Sequence, residues 1–320
     1  MQILVTGGTG VVGAGAVSEL VRCGHRVRLL SRHALEDVAQ WGDVVEPWPA
    51  SVDDRAGLAG SADGCDLVIH VAGIVSESPP EVTFDSVNVE GTENMIAETE
   101  RAGVGRFIFL SSLGAEQGES PYHVSKRTAE AAVRKFRGGW MILRPGNVYG
   151  PGDEVVSLLL KMVRTLRAMP VIDGGDDVFQ PLWVDDLSKA IATAAERTDL
   201  HGRTLELAGE EEVSTNGLID RFSSITGRNP IRIPVPGFVA SVGAAIGGIV
   251  GIELPVNESQ LMMLREGNVI RTPGGNALSA VFRIQPTTLE EGLKKLADAQ
   301  PEQLPDDAGI GSLKRKRIWA

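Results

Sequence analysis

Thr6-Gly7-Gly8-Thr9-Gly10-Val11-Val12-Gly13 follows directly on the apolar run Gln2-Ile3-Leu4-Val5, and a helix-forming stretch, Ala14 to Cys23, comes next. A buried strand, a glycine-rich turn and a helix in that order leave a chain few options. Gly7 can take the backbone angles that a tight turn needs. Gly10 presents no Cβ, so a pyrophosphate can approach its backbone, and Gly13 lets the helix pack close on the strand. The start of the helix offers N–H groups and a partial positive charge to phosphates. The turn therefore predicts a dinucleotide site that includes Gly7, Thr9, Gly10, Val11 and Val12.

Tyr122 and Lys126 stand four residues apart in Pro121-Tyr122-His123-Val124-Ser125-Lys126. Pro121 suits the first turn of a helix, and on that helix the two side chains share a face. A phenol with a pKa near ~10 is a poor base at neutral pH, and a nearby ammonium favours its ionised form. Upstream, Phe107-Ile108-Phe109-Leu110 reads as a buried strand ending at Ser111-Ser112. A serine there points into the crevice where open α/β sheets bind ligands.

The rest of the chain alternates. Strands are expected near 2–6, 27–31, 43–46, 67–71, 106–111 and 140–144, and helices near 12–23, 54–61, 81–102, 121–137 and 152–168. Such alternation means βαβ units and a doubly wound parallel sheet with helices on both faces, an α/β fold of Rossmann type. Beyond residue 150 the pattern loosens into a smaller, discontinuous C-terminal substrate lobe. There Gly174-Gly175, Pro230 to Pro236 and Gly274-Gly275 read as loops. Leu182-Trp183-Val184 and Thr204 to Leu207 read as strands around a helix at 186–196 that return to the first domain. The expected division is 1–150, with 178–208 returning to it, for the dinucleotide; 151–177 and 209–300 for the substrate; and 301–320 as a tail.

Composition narrows the function. With 42% hydrophobic and 23% charged residues, 320 residues suffice for one large domain and a smaller lobe. A net charge of −11 argues against nucleic acid as partner. Cys23 and Cys65 have no metal or redox spacing, which fits a reducing, cytoplasmic setting. The five histidines (His25, His33, His70, His123, His201) are scattered, so no metal is expected. The first strand begins at residue 2 and leaves no room for a signal peptide. The chain stops just after Ile318-Trp319, which leaves open a longer protein.

The chain resembles the extended branch of the short-chain dehydrogenase/reductase superfamily, with its epimerase/dehydratase-like members. The match is carried by the Thr6–Gly13 turn, Val71-Ala72-Gly73, Asn88-Val89-Glu90-Gly91-Thr92, Ser111-Ser112, Tyr122…Lys126 and Arg144-Pro145-Gly146-Asn147-Val148-Tyr149-Gly150-Pro151. Trp183-Val184-Asp185-Asp186-Leu187 and Pro286 to Leu293, the latter like the branch's closing helix, complete it. The resemblance implies hydride transfer coupled to proton transfer. Tyr122 would be the general acid/base, Ser112 would hydrogen-bond the substrate oxygen, and Lys126 would lower the tyrosine pKa and hold a ribose. Ser111 would face the cofactor, Asn88 would support the lysine, and the Pro145–Asn147–Val148 backbone would close over the nicotinamide. Ala72 and Gly73 would also touch the cofactor.

Cofactor choice is read at the end of the second strand. Ser31-Arg32-His33 stands where an NAD site usually has a carboxylate, and none occurs before Glu36. A guanidinium at Arg32 suits a 2′-phosphate, so NADP is favoured and NAD is the alternative. The superfamily often has an aspartate near the adenine where this chain has Ser51; backbone around Val52 would cover the base instead.

Three readings follow. The first is an NADP-dependent oxidoreductase acting on a hydroxyl or carbonyl of a fairly apolar small molecule. The second is an NAD-dependent nucleotide-sugar epimerase or dehydratase, to which Asn147 is similar; Val178-Phe179-Gln180-Pro181 lacks the arginine such enzymes carry there. The third is a non-catalytic dinucleotide-binding assembly or sensor protein, akin to accessory subunits of respiratory complex I. The uncharged run Ile233 to Ile252 has the length of a membrane span, but glycine, alanine and serine dilute it. It reads better as an apolar helix beside a hydrophobic pocket. The basic tail Leu313 to Ala320 suits contact with an anionic membrane surface. The resemblance also implies a homodimer built on helices 81–102 and 121–137, whose outward faces carry Glu98, Arg101, Arg127, Glu130 and Arg134.

Overall fold

Ile3 and Val5 pack on one face of the central sheet and Leu4 on the other, so the first strand is buried on both sides. This double burial is what an all-parallel sheet with helices on both faces demands. The structure, a computed structural model, describes residues 1–236, 262, 263, 266, 268–272 and 275–300. Its strands are β1 (Gln2–Thr6), β2 (Arg26–Ser31), β3 (Val45–Pro49), β4 (Leu67–His70), β5 (Arg106–Leu110), β6 (Gly139–Pro145), β7 (Val148–Tyr149), β8 (Ala168–Ile172), β9 (Val178–Phe179), β10 (Leu182–Trp183), β11 (Arg203–Leu207), β12 (Val213–Ser214) and β13 (Ile231–Val235). The longer helices are α1 (Val11–Arg22), α2 (Gly91–Arg101), α3 (Pro121–Val133), α4 (Val155–Thr165), α5 (Val184–Glu196), α6 (Thr215–Thr226) and α7 (Leu289–Ala299).

Seven strands form one parallel sheet in the order β3-β2-β1-β4-β5-β6-β11. This is the doubly wound order expected, extended by the late strand β11. On one face lie α1 and α5, contributing Ala16, Val17, Leu20, Leu187, Ala190 and Ile191. On the other lie α2 and α3, with Met95, Ala129 and Val133 against Phe107, Phe109 and Ile142. Each large apolar side chain so buried contributes about 1.5–3 kcal/mol.

A second core belongs to the C-terminal part. Val156, Leu160 and Val163 of α4 meet Leu218, Ile219 and Phe222 of α6 and Leu293 and Leu296 of α7. Ser214 caps α6 by accepting from Gly217 N at 3.1 Å, and Gly227 closes it at φ +69°. Three two-stranded ladders, β7–β10, β9–β12 and β8–β13, complete this part.

Several boundaries differ from the sequence expectations for physical reasons. The strand expected at 43–46 runs from Val45 to Pro49; Gly42 turns the chain at φ +63°, and the sheet edge tolerates Pro47 and Pro49. The helix expected at 54–61 is one turn, Arg55–Leu58, with Gly60 at φ +89° just beyond. The helix expected to start at 81 starts after Thr83, whose hydroxyl accepts from Ser86 N at 3.1 Å. It then widens into a π-helical turn, Asp85–Glu90, before α2. α4 starts at Val155 rather than 152; Asp153, just ahead of it, accepts from Val156 N at 2.7 Å. The Pro230–Pro236 stretch, read as a loop, contains β13, parallel to β8. A two-stranded ladder leaves an outer edge on each strand, where Pro170 and Pro234 fit.

Glu98 and Glu130, read as outward-facing, are buried at 6% and 0% exposure. Glu98 accepts from the backbone N–H groups of Gly60 and Ala62 and pairs with Arg101. Residues 237–252 of the uncharged run and the basic tail lie outside the described residues. Among the described residues, no helix is long and apolar enough to cross a membrane.

Candidate active site

At the C-terminal edge of the sheet the connections part on either side of β1, towards β2 and, after β3, back to β4. Open α/β sheets bind ligands at such a point. The turn after β1 is packed to the limit. Gly7 sits at φ +68°, and a Cβ there would lie 2.6 Å from backbone atoms of Ala72. A Cβ on Gly13 would lie 2.0 Å from the Gly7 carbonyl oxygen. Gly10 precedes α1 and supplies no capping side chain, and the first turn, with Val11 and Val12, holds no acid. The positive end of α1 is thus turned toward the glycine loop without a competing carboxylate of its own.

The turn opens onto a cleft of about 640 Å³, counted with the solvent at its mouth. Of the expected cofactor residues, Gly7, Thr9, Ser31, Arg32, Val52, Ala72 and Gly73 line it. His33, Ser51 and Asp53 also line it, next to residues the sequence singled out, as do Ile74, Val82 and Val87. Ser31 Oγ donates to Asp37 at 2.8 Å, so a carboxylate does stand behind the strand end, reached by the short helix Ala34–Asp37. The glycine cradle, the acid-free helix start and the cleft beside them all fit a nicotinamide dinucleotide.

Ser112, Tyr122 and Lys126 are all buried and lie behind Gly73 and Ile74 of that lining. Ser120 caps α3, accepting from His123 N at 3.4 Å, and this sets Tyr122 and Lys126 on the face that looks at the sheet. Ser112, just beyond β5, lies near enough to the Tyr122 hydroxyl to favour its ionised form. Lys126 Nζ donates to the Leu110 carbonyl at 3.1 Å and lies 5.1 Å from the Phe109 ring centre. A Cβ on Gly73 would lie 2.8 Å from that Nζ, so the lysine abuts the cleft. Asn88, on the π-helical turn, locks the pieces together. Its Oδ1 accepts from Ile74 N at 2.8 Å, and its Nδ2 donates to Ile74 O at 3.1 Å and Ser125 Oγ at 2.9 Å.

Burial governs the protonation of this group. It pushes the Tyr122 hydroxyl up to about 12, against the opposing pull of the nearby Ser112 hydroxyl, and pulls Lys126 down to about 8, against Glu130. The expectation that Lys126 holds the phenol below its ordinary value is not what this geometry gives: burial raises it, and the opposing pull comes from Ser112. His70 lies buried beneath, with Nδ1 2.7 Å from Thr6 Oγ1 and Nε2 3.1 Å from Thr92 Oγ1. Burial, helped by the Lys126 charge, lowers it to about 3, so it is neutral.

Other expected residues lie apart from the cleft lining. Ser111, expected to face the cofactor, donates to Glu130 Oε1 at 2.6 Å. Glu130 also receives Arg144 at 2.8 Å and Arg134 at 2.7 Å; burial raises its carboxyl, and these donors outweigh that and hold it low. Pro145 ends β6 and Val148 begins β7, while the Asn147 carbonyl accepts from Leu182 N at 2.8 Å and its buried Oδ1 has no partner among the described residues. Sequence reasoning missed the Glu130–Arg144 pair, although Glu130 stands one helical turn beyond Lys126. It also missed His70, for which no signal stands in the sequence.

The model of the NAD dependent epimerase/dehydratase family matches residues 3–208. A ceramide reductase of Caulobacter vibrioides is 32% identical over 251 residues, covering 76% of this chain and 77% of its own. Subunit 9 of the mitochondrial NADH dehydrogenase [ubiquinone] 1 alpha subcomplex of Rattus norvegicus is 28% identical over 297 residues, covering 89% and 77%. The UDP-glucose 4-epimerase of Thermotoga maritima, solved with UDP-glucose, superposes with a TM-score of 0.73 at 21% identity, covering 93% and 98%; it shares the fold. The chain belongs to the NAD-dependent epimerase/dehydratase family of the extended short-chain dehydrogenase/reductase superfamily, and is an NAD(P)-dependent oxidoreductase or epimerase/dehydratase.

Proposed function

We propose that this protein is an NADPH-dependent reductase of a carbonyl on a fairly apolar small molecule. The observation that carries the reading is the grouping of buried Ser112, Tyr122 and Lys126 directly behind Gly73 and Ile74, which line a dinucleotide cleft. A bound nicotinamide dinucleotide supplies the hydride. Tyr122, with its hydroxyl near 12, holds a proton at Oη throughout the neutral range. It therefore suits proton donation to an oxygen that becomes an alkoxide. Ser112 orients that hydroxyl, and Lys126 is positioned to hold a ribose at the Gly73 wall. Proton transfer of this kind contributes about 10²–10⁴ in rate.

Arg32 at the cleft wall supports NADPH over NADH, because a guanidinium matches a 2′-phosphate. The apolar substrate is supported by the packing of Ile74 and Phe84 against Tyr122, and by the name of the Caulobacter relative. Residues 1–150 and 178–208 are assigned here to the cofactor, and 151–177 with 209–300 to the substrate.

Fluorescence titration with NADPH and NADH tests the reading. NADPH binds tighter to the wild type, and Arg32→Ala weakens it about 10- to 100-fold with NADH unchanged, the size of a lost hydrogen bond to a charged group (~1.5–3 kcal/mol). NAD that copurifies, with NADH bound at least as well as NADPH, would point to epimerase or dehydratase chemistry instead. Binding of neither would leave a scaffold.

A further inference from the structure

Tyr122 is one member of a small apolar cluster with Ile74 and Phe84, separate from the two large cores. The Phe84 and Tyr122 rings stand 6.0 Å apart, tilted by 59°. Val82, Val87 and Met263 pack against the cluster, and Ile74, Val82 and Val87 also line the cleft. Met263 is the odd member, because it comes from far along the chain. Its neighbour Met262 is 38% exposed, so the wall reaches solvent here.

Three residues on, Glu266 fixes where Met263 sits. One carboxylate oxygen accepts from the backbone N–H groups of Glu119 at 2.6 Å and Ser120 at 2.5 Å. The other accepts from Ser120 Oγ at 2.8 Å and meets His123 Nδ1. These donors stand at the start of α3, the helix that carries Tyr122 and Lys126. The pocket for this contact is shaped to it. A Cβ on Gly114 would lie 2.4 Å from the His123 ring, and one on Gly118 would lie 2.5 Å from His123 Nδ1 and 2.8 Å from the carboxylate. A single carboxylate thus ties Glu266 to the first turn of the helix that carries Tyr122, and Met263, three residues before it, packs on the cluster to which that tyrosine belongs. Methionine is flexible and polarizable and adapts to irregular apolar surfaces.

We infer that Met263 is a specificity-determining residue: it completes the wall on which a hydrocarbon substituent flanking the substrate carbonyl packs, with Glu266 as the positioning residue that holds it there. The inference rests on Tyr122 serving the substrate oxygen. The side chains that form this wall are apolar or aromatic, which suits hydrocarbon and offers a phosphorylated sugar no charge partner.

The test is calorimetric binding of butan-2-one, octan-2-one and dodecan-2-one in the presence of NADP⁺, followed by turnover with NADPH. Wild type binds the longer ketones tighter, by about fourfold per methylene while methylenes are still being buried. Met263→Asn weakens dodecan-2-one at least tenfold and flattens the series, whereas Met263→Leu keeps it. Glu266→Gln flattens the series with NADPH affinity and the melting temperature kept, and in turnover raises KM more than it lowers kcat. A wild-type series in Met263→Asn, no ketone binding at all, or loss of NADPH binding in Glu266→Gln in step with ketone binding would each overturn the inference. Ketones that bind with the expected series but are not reduced would leave the wall standing and remove the reductase reading.

Discussion

The glycine loop after β1 and the group around Tyr122 both abut Ala72-Gly73 but are built from different materials. The loop is backbone against backbone: Gly13 on the Gly7 carbonyl, Gly7 on Ala72. The Tyr122 group is held by side chains that reach out to their neighbours: Asn88 to Ser125 and the Ile74 backbone, Lys126 to the Leu110 carbonyl. The first leaves no space for an added atom, and charge plays no part in its packing. The second has atoms to spare, and its state is set by burial of groups that titrate. A backbone-built wall should fail by sterics at every pH, and a side-chain-built one by charge, at a pH that can be named.

Gly13→Ala sharpens the first half. The new Cβ meets the Gly7 carbonyl, and overpacking of this kind costs about 1–3 kcal/mol. Urea unfolding should show that loss, with the same value at pH 5 and pH 7, and NADPH affinity should fall by more than tenfold. A fully stable variant that binds NADPH normally would break the contrast.

His70 sharpens the second half with a smaller effect. Its folded pKa of about 3 lies below the ordinary histidine value, so on acidification the unfolded chain takes up the proton first. Its contribution is complete above about pH 6.5 and drains away between there and about pH 3, at up to ~1.4 kcal/mol per pH unit. Wild type should therefore lose more unfolding free energy than His70→Gln between pH 7 and pH 5. Equal slopes for the two proteins would contradict the assignment of a buried neutral imidazole between Thr6 and Thr92.

The same division explains what was readable in the sequence. The glycine loop and the Tyr122/Lys126 spacing are local, and local geometry follows from residues a few positions apart. The sheet order followed from the alternation, because β1, β4, β5 and β6 each carry an apolar run. What was not readable depends on distant partners. Thr83 moved a helix start because its hydroxyl meets Ser86, and the widening at Asn88 needs both Ile74 and Ser125 in place. Glu130 looked like surface until Arg144 and Ser111 met it from β6 and the end of β5. Nothing in the sequence singles out Glu266 or Met263; only the contact of Glu266 with Ser120 and the packing of Met263 on the Ile74–Phe84–Tyr122 cluster give them meaning. The direction of the Tyr122 shift was misread because residue spacing reports which charges are near and says nothing of how much water is excluded.

The most direct measurement is stopped-flow NADPH oxidation by Tyr122→Phe with octan-2-one, beside a titration of NADPH binding. The account predicts binding within about twofold of wild type and hydride transfer slowed by at least the ~10²–10⁴ that a positioned proton donor contributes. Transfer at the wild-type rate with NADPH bound would contradict it, because the proton would then come from somewhere other than Tyr122.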